Sequence, residues 1–485
     1  MLIWFVILYI AVSVGIGLYA SRRVKNTADF VVAGRHLPLP FIIATVFATW
    51  FGSEAVLGIP AKFLNDGLKG VVADPFGSSM CLILVGLFFA RPLYRMKLLT
   101  IGDYYRARYN RPVELATSLC IVISYLGWVS AQITALGLVF SVLTNGAIEP
   151  WQGMVIGTTI VLVYTLAGGM FSVAFTDLFQ MGVILIGMVY IATVVSALAG
   201  GAGVVVTHAA AAGKLEFFPA LNARDIIAFV AALITMGFGS IPQQDVFQRV
   251  SAARDEKTAG RGSVLGGCLY FCFAFIPMFL AYSAMLIDPA LVAKHSGNDS
   301  QYILPYLILA HTPLFAQVIF FGALLAAIMS CSSATLLAPS VTFAENVLKP
   351  FLPELADWQF LSLLRWIVFL FALAVLTFAI TSGATIYGMV ESAYKVTLVA
   401  AFTPLAFGLY WKRATTQGAA CAIGGGLAVW ITCEILIALQ ILPAEPFLPP
   451  QFAGWLASVA GMLAGSLLPQ WYGAEKPRPP HVAAA

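Results

Sequence analysis
Charge is scarce in this 485-residue sequence. Asp, Glu, Lys and Arg make up 10% of it, against roughly 25% in ordinary soluble domains, which excludes a water-solvated globular fold. The net charge of +4 offers no attraction for nucleic acid. Histidine is rarer still: His36, His208, His295, His311 and His481 are scattered singly, with no metal-ligand spacing. The seven cysteines (Cys81, Cys120, Cys268, Cys272, Cys331, Cys421 and Cys433) all fall inside apolar runs. They read as small buried hydrophobes rather than a disulfide framework. Polar stretches between apolar runs are short, and none is long enough for a catalytic or sensory domain. With no nucleophile or metal constellation either, the expectation is a non-enzyme.

Apolar residues fill the chain instead, at 60% with a mean hydropathy of +0.92, so its solvent is the lipid bilayer. At about 20 apolar residues per span, the sequence divides into thirteen transmembrane helices, among them 150–167 and 173–199. Leu2 to Ala20 is apolar with Arg22, Arg23 and Lys25 after it, the reverse of a cleavable signal peptide. It reads as a retained first helix with its N-terminus outside. Of the 26 Lys and Arg residues, this threading puts 20 on the inner side, 5 on the outer side and Lys395 within a span. That bias satisfies the positive-inside rule and places the C-terminus inside. His311 reads as an interfacial residue at an outer membrane edge, and the tail 471–485 as disordered.

Phe47 to Pro60 is apolar, yet it carries Gly52, Ser53, Gly58, Pro60 and the carboxylate of Glu54 at membrane depth. Such residues weaken helical hydrogen bonding, and a break survives in lipid only where protein buries it or a polar cavity borders it. Met236 to Asp245 does the same about 190 residues later, again with Phe-Gly-Ser followed by proline. Two interrupted spans in corresponding places are a pointer to a transporter's binding site.

Six acids fall within or at the ends of spans: Glu54, Asp74, Asp177, Asp245, Glu391 and Glu434. Each either works or snorkels to an interface. Asp245, whose span runs into the basic loop at Arg249, and Glu434 read as interfacial, whereas Glu54 reads as functional. Asp177 either attracts a cation or carries a proton, or is a helix-start carboxylate satisfied by backbone N–H groups. Glu391 and Lys395, four apart, can meet on one helix face, as a structural pair or with one arm turned to the solute. The run Ala326 to Thr335 is dense in small residues and hydroxyls. It serves either tight helix packing or a cation site, because Na+ is a hard ion that takes oxygen ligands from broken backbone and hydroxyls.

These segments together resemble the sodium/solute symporter family, which includes bacterial proline and galactose symporters and the choline transporters. The likeness runs from about Leu2 to Leu468. It is carried by Ala28 to Arg35, Ala48-Thr49-Trp50-Phe51-Gly52, Leu166 to Gly169, Thr176 to Gln180, Phe247-Gln248-Arg249 and Ala327-Ile328-Met329-Ser330.

The resemblance implies an all-α membrane protein with an inverted-repeat 5+5 core of broken helices. Residues 1–40 supply an extra first helix, 41–199 and 223–411 the two repeats, and 412–470 two C-terminal helices. It implies a sodium site from the carbonyls of Ala48, Phe51 and Ala327 and the hydroxyl of Ser330. The next position, usually Ser or Thr in the family, is Cys331, and a thiol is a soft, poor ligand for Na+. Asp177 matches an acid on a cytoplasmic cation or proton route. Glu54, Asp74 and Glu391 match solute-facing positions, with Gln243 and Gln244 just beyond the second break. Those acids beside Trp50, Phe51 and Trp128 favour a cationic or zwitterionic amine held by charge and cation–π contact.

The function implied is Na+-coupled symport of a small polar organic solute by alternating access, in a bacterial inner membrane, with no obligate protein partner. The alternative is a proton-coupled or uncoupled permease for a neutral solute or carboxylate.

Overall fold
The computed structural model describes residues 2–472. Within them the chain is helical throughout, with a single isolated bridge and no strand. The helices used below begin with α1 (Leu2–Ser21), α2 (Leu39–Trp50), α3 (Glu54–Asp66) and α4 (Leu68–Arg95). They continue with α5 (Ile101–Arg108), α6 (Arg111–Leu143), α7 (Pro150–Leu198), α8 (Ala202–Ala211), α9 (Ala223–Gly239) and α10 (Gln244–Ala252). The remainder are α11 (Glu256–Ile287), α12 (Ile303–His311), α13 (Leu314–Thr342), α14 (Asp357–Thr381), α15 (Ile386–Tyr410), α16 (Thr416–Ala438) and α17 (Pro450–Leu467). By length and apolarity, nine helices among the described residues can cross a bilayer, or eleven if each of two bent pairs is one span.

Both bends fall where glycine, serine and proline interrupt the sequence. The pair α2 and α3 turns by 52°, and the pair α9 and α10 by 48°. Elsewhere the helix starts are written locally. Asn110, Asn222, Asp255 and Thr385 each precede a helix and accept a backbone N–H from its first turn, satisfying donors that lipid cannot.

The 49 residues of α7 would run about 74 Å if straight, more than twice a bilayer core. Instead the helix turns sharply at Gly169, whose φ of 48° and ψ of −135° are not helical. Ser172 Oγ donates to Gly17 O over 2.5 Å, and Tyr164 packs against the same Gly17. Eight residues of straight helix would hold those two about 12 Å apart. The segments 150–167 and 173–199 therefore meet without an intervening loop.

Burial separates a central set of helices from a peripheral one. About the apolar windows of α4 and α6, 67% and 72% of residues are buried, against 17% in α1 and in α16. The outer surface carries Trp4, Leu8, Ile186, Trp366 and Leu370 exposed, an apolar coat that suits lipid and not water. Cys268, Cys272 and Cys421 belong to that coat, which corrects their reading as buried residues; an apolar exterior asks for the same chemistry as an apolar core. All seven cysteines are free. The two bent pairs are also tied at one end, where Leu37 N donates to Ala252 O and Arg254 N to Leu37 O, each over 3.0 Å.

Of the tail expected to be disordered, residues 473–485 lie outside the described residues. His311 bonds Asp288 at 2.8 Å beyond the end of α11. The Leu291 N–H and His311 together hold the Asp288 carboxyl below its ordinary range.

Candidate functional site
The first bend unwinds at Phe51, where φ is −88° and ψ is 63°. Phe51 N still donates to Phe47 O, and Val56 N to Gly52 O. Ser53 N leaves the main chain altogether and donates to Gln132 Oε1 over 2.9 Å. Gly52 N, the usual donor to Ala48 O, does not reach it, and no backbone N–H reaches Phe51 O among the described residues. Buried acceptors in that condition need a polar or cationic partner.

Facing this break is the hydroxyl-rich stretch of α13, where the fate of each hydroxyl separates packing from function. Ser332, Ser333, Thr335, Ser340 and Thr342 all donate back to carbonyls three or four residues earlier in their own helix. That is how a lone hydroxyl satisfies itself in an apolar helix. Ser330 differs: its Oγ donates to Asp177 Oδ1 over 2.5 Å, and Thr45 Oγ1 donates to Asp177 Oδ2 over 2.6 Å. Asp177 is therefore a mid-helix side chain bound by hydroxyls of α2 and α13, not a helix-start carboxylate capped by N–H groups. Cys331 packs on Gly52, where a Cβ would stand 2.8 Å from both Cys331 Sγ and Glu54 Oε2. A glycine is thus required for α13 to approach the break. Ala327, one turn earlier on α13, is fully buried.

Beyond the break, Glu54 is 2% exposed. Its Oε1 accepts from Trp128 Nε1 over 3.3 Å and its Oε2 from Gln132 Nε2 over 2.6 Å. Asp74 Oδ1 accepts from Tyr270 OH over 2.5 Å. Four aromatic rings gather beside these acids. The centroids of Trp50 and Trp128 are 5.6 Å apart, Tyr394 stacks on Trp50 at 6.0 Å, and Tyr125 stacks on Trp128 at 5.8 Å.

The second break contributes Gln243, which donates to Ser124 Oγ over 3.0 Å and to Thr397 Oγ1, on the helix that carries Tyr394, over 3.4 Å. Asp245 is fully buried and bonded to Tyr125 OH, which overturns its reading as an interfacial residue. Arg249 is buried too, and reaches across to Thr49 Oγ1 on α2 over 2.9 Å.

Two expected solute residues stand apart from this cluster. Gln244 turns its Oε1 to Ile101 N at the start of α5, 2.8 Å away. Glu391 pairs with Lys395 at 3.9 Å and borders a separate polar pocket with Lys62, Asp66, Gln301 and Tyr387. On the same helix, α15, it is Tyr394 that reaches the cluster, stacking on Trp50.

Sequence reasoning missed Gln132, Thr45, Tyr125, Tyr270, Arg249 and Tyr394. Gln132 had a signal, being an amide inside a long apolar helix, and the test applied to acids at membrane depth extends to it. The hydroxyls and phenols had none, because their partners lie far away in sequence.

Two bent helices in an otherwise regular bundle, with buried acids, aromatics and unpaired main-chain oxygens at the bends, define a membrane transporter of the broken-helix class. The fold agrees with solved transporters. It matches a Na+-coupled sialic acid symporter in its substrate-bound outward-open state with a TM-score of 0.78 at 20% identity, covering 96% of this chain and 98% of that one. A nucleobase-cation-symport-1 family transporter in a closed conformation matches at 0.60 and 15% identity, covering 90% of this chain and 95% of that one.

Residues 30–426 match the model of the sodium:solute symporter family, and the chain belongs to that family. The human high affinity choline transporter 1 is 26% identical over 86% of this chain and 74% of its own length. The human sodium/iodide cotransporter is 26% identical over 95% and 74%. The sodium/glucose cotransporter of Vibrio parahaemolyticus is 24% identical over 85% and 81%. Membership makes this an integral membrane transporter of small solutes with Na+ as the coupling ion.

Proposed function
We propose that the chain carries a small cationic or zwitterionic amine, choline-like or amino-acid-like, into the cell together with Na+ across a bacterial inner membrane. The observation that carries this reading is the break at Phe51 to Ser53. The carbonyls of Ala48 and Phe51 have no N–H partner at a break where Gly52 packs on Cys331 of α13, next to Ser330, and the acid of Glu54 and the rings of Trp50 and Trp128 stand beside it. Main-chain oxygens of Ala48, Phe51 and Ala327 with Ser330 Oγ hold Na+, Cys331 completes that shell weakly, and Asp177 draws the ion toward its exit. Trp50, Glu54, Asp74, Trp128 and Gln243 form the solute cavity, while Glu391 and Gln244 act outside it. Two inverted repeats, 41–199 and 223–411, rock about this site within thirteen spans, with the N-terminus outside and the C-terminus inside. Na+ orders the broken helix, so the ion favours the conformation that accepts solute.

A proton-coupled permease is the second reading, supported by a thiol at position 331 where an oxygen ligand is expected. Uptake by the purified chain in liposomes separates them. Accumulation of amines driven by an inward Na+ gradient at fixed pH, and lost in K+, is expected. Accumulation driven by a pH gradient alone, with Na+ absent, would replace the first reading by the second.

A further inference from the structure
Glu391 stands apart from the break, and the pocket it borders is a cavity of about 290 Å³, near the lower end of the roughly 300–1,000 Å³ that small-molecule sites occupy. Its walls come from α3, the start of α15 and the loop before α12, with Lys62, Asp66, Gln301, Thr385, Tyr387 and Glu391 among them. Gly58 also lines it, four residues beyond Glu54 on α3 and so about 6 Å further along the axis. A Cβ at Gly58 would stand 3.3 Å from Tyr387 N and 3.4 Å from Ile386 Cγ2, so α3 and α15 close on each other one turn from Glu54. Tyr387 is buried at that contact, and its phenol donates to Gly70 O in the first turn of α4 over 3.4 Å. The end of α3 that bears Lys62 is the one the charge bias puts outside, and a solute arriving from that side reaches the pocket before the break.

Pairing within the pocket decides what it can take. Lys62 and Asp66 neutralise each other at 2.6 Å. Lys395, the cation across from Glu391, stands 3.9 Å away, too far for a hydrogen bond, and does not border the pocket. Glu391 therefore offers its carboxylate to the cavity beside the ring of Tyr387, two groups that together hold an ammonium by charge and cation–π contact.

We infer that this pocket is a second binding site, independent of Na+, which holds the ammonium of the solute on Glu391 and Tyr387 until α3 and α15 part and admit it to the break. The inference rests on the amine reading for the class of its ligand. It does not rest on the sodium site, because none of Ala48, Phe51, Ala327 and Ser330 lines the pocket.

The test is a thermal-shift titration of the purified full chain in KCl without Na+, with choline against its uncharged isostere 3,3-dimethyl-1-butanol. Saturable stabilisation by choline is expected, with the isostere about fivefold weaker, the upper range for a partly exposed ion pair. In Glu391→Gln, half-saturation by choline is expected to rise by about the same factor. Equal potency of the two compounds in the native chain, stabilisation by choline only when Na+ is present, or an unchanged half-saturation in Glu391→Gln overturns the inference. Na+-dependent binding of an amine in that event leaves the amine reading intact. Stabilisation by sugars or carboxylates and by no ammonium compound, in either salt, overturns both. The comparison of choline with its isostere needs no variant, so a misfolded Glu391→Gln does not protect the inference.

Discussion

Ser330 is the one hydroxyl of its stretch that ignores its own helix and bonds a carboxylate. In Ser330→Ala, Asp177 loses a charge-assisted partner, worth about 1.5–3 kcal/mol, and the proposed shell loses its only hydroxyl. Half-saturation of uptake by Na+ is expected to rise about tenfold or more, and unchanged Na+ activation would place Ser330 outside the shell. Cys331→Ser tests the same shell in the opposite direction. Exchanging a soft thiol for a hard oxygen is expected to lower the Na+ concentration needed. Gln132 supports both halves of the break at once, accepting from Ser53 N and donating to Glu54. Gln132→Leu is nearly the same size but strands one N–H and one carboxylate oxygen. It is expected to reduce uptake at least tenfold and to lower Tm. An unchanged Tm and uptake would show that neither bond of Gln132 matters.

Helix breaks were legible in the sequence because their cause is local. Gly52 and Ser53, and Ser240 to Pro242, weaken the backbone wherever they stand, and both bends fall there. The partners were not legible. Thr45 and Asp177 are 132 residues apart, and Tyr125 and Asp245 are 120 apart; a hydroxyl or phenol in an apolar run reads as packing until the fold brings a carboxylate to it. Asp245 shows the cost of reading by position alone, since closeness to a basic loop suggested an interface and tertiary packing put it in the core. The turn inside α7 falls between these cases. Gly168 and Gly169 marked a boundary between two spans, but not that the boundary is a single residue with a left-handed φ. A Cβ at Gly169 would stand 2.3 Å from Phe30 O, so both backbone strain and a clash oppose any side chain. Gly169→Ala is expected to abolish folded protein in the membrane fraction, while Gly182→Ala, which meets nothing nearby, leaves expression unchanged.

At the scale of the molecule, the two bent pairs share one centre. Arg249 of the second pair holds Thr49 of the first, and the strap before α2 is bonded to the strap after α10. An ion that orders one bend is therefore placed to move the other. The account requires Na+ to bind before and to favour solute, a coupling that is reciprocal by thermodynamic linkage. The most direct measurement is the Na+ concentration dependence of solute affinity in the purified chain, compared between native protein and Ser330→Ala. The account predicts that solute affinity rises with Na+ until the ion site fills, and that the curve for Ser330→Ala moves to about tenfold higher Na+ with the same solute affinity at saturation. Solute affinity independent of Na+ in the native chain, or superimposable curves for the two proteins, would contradict it.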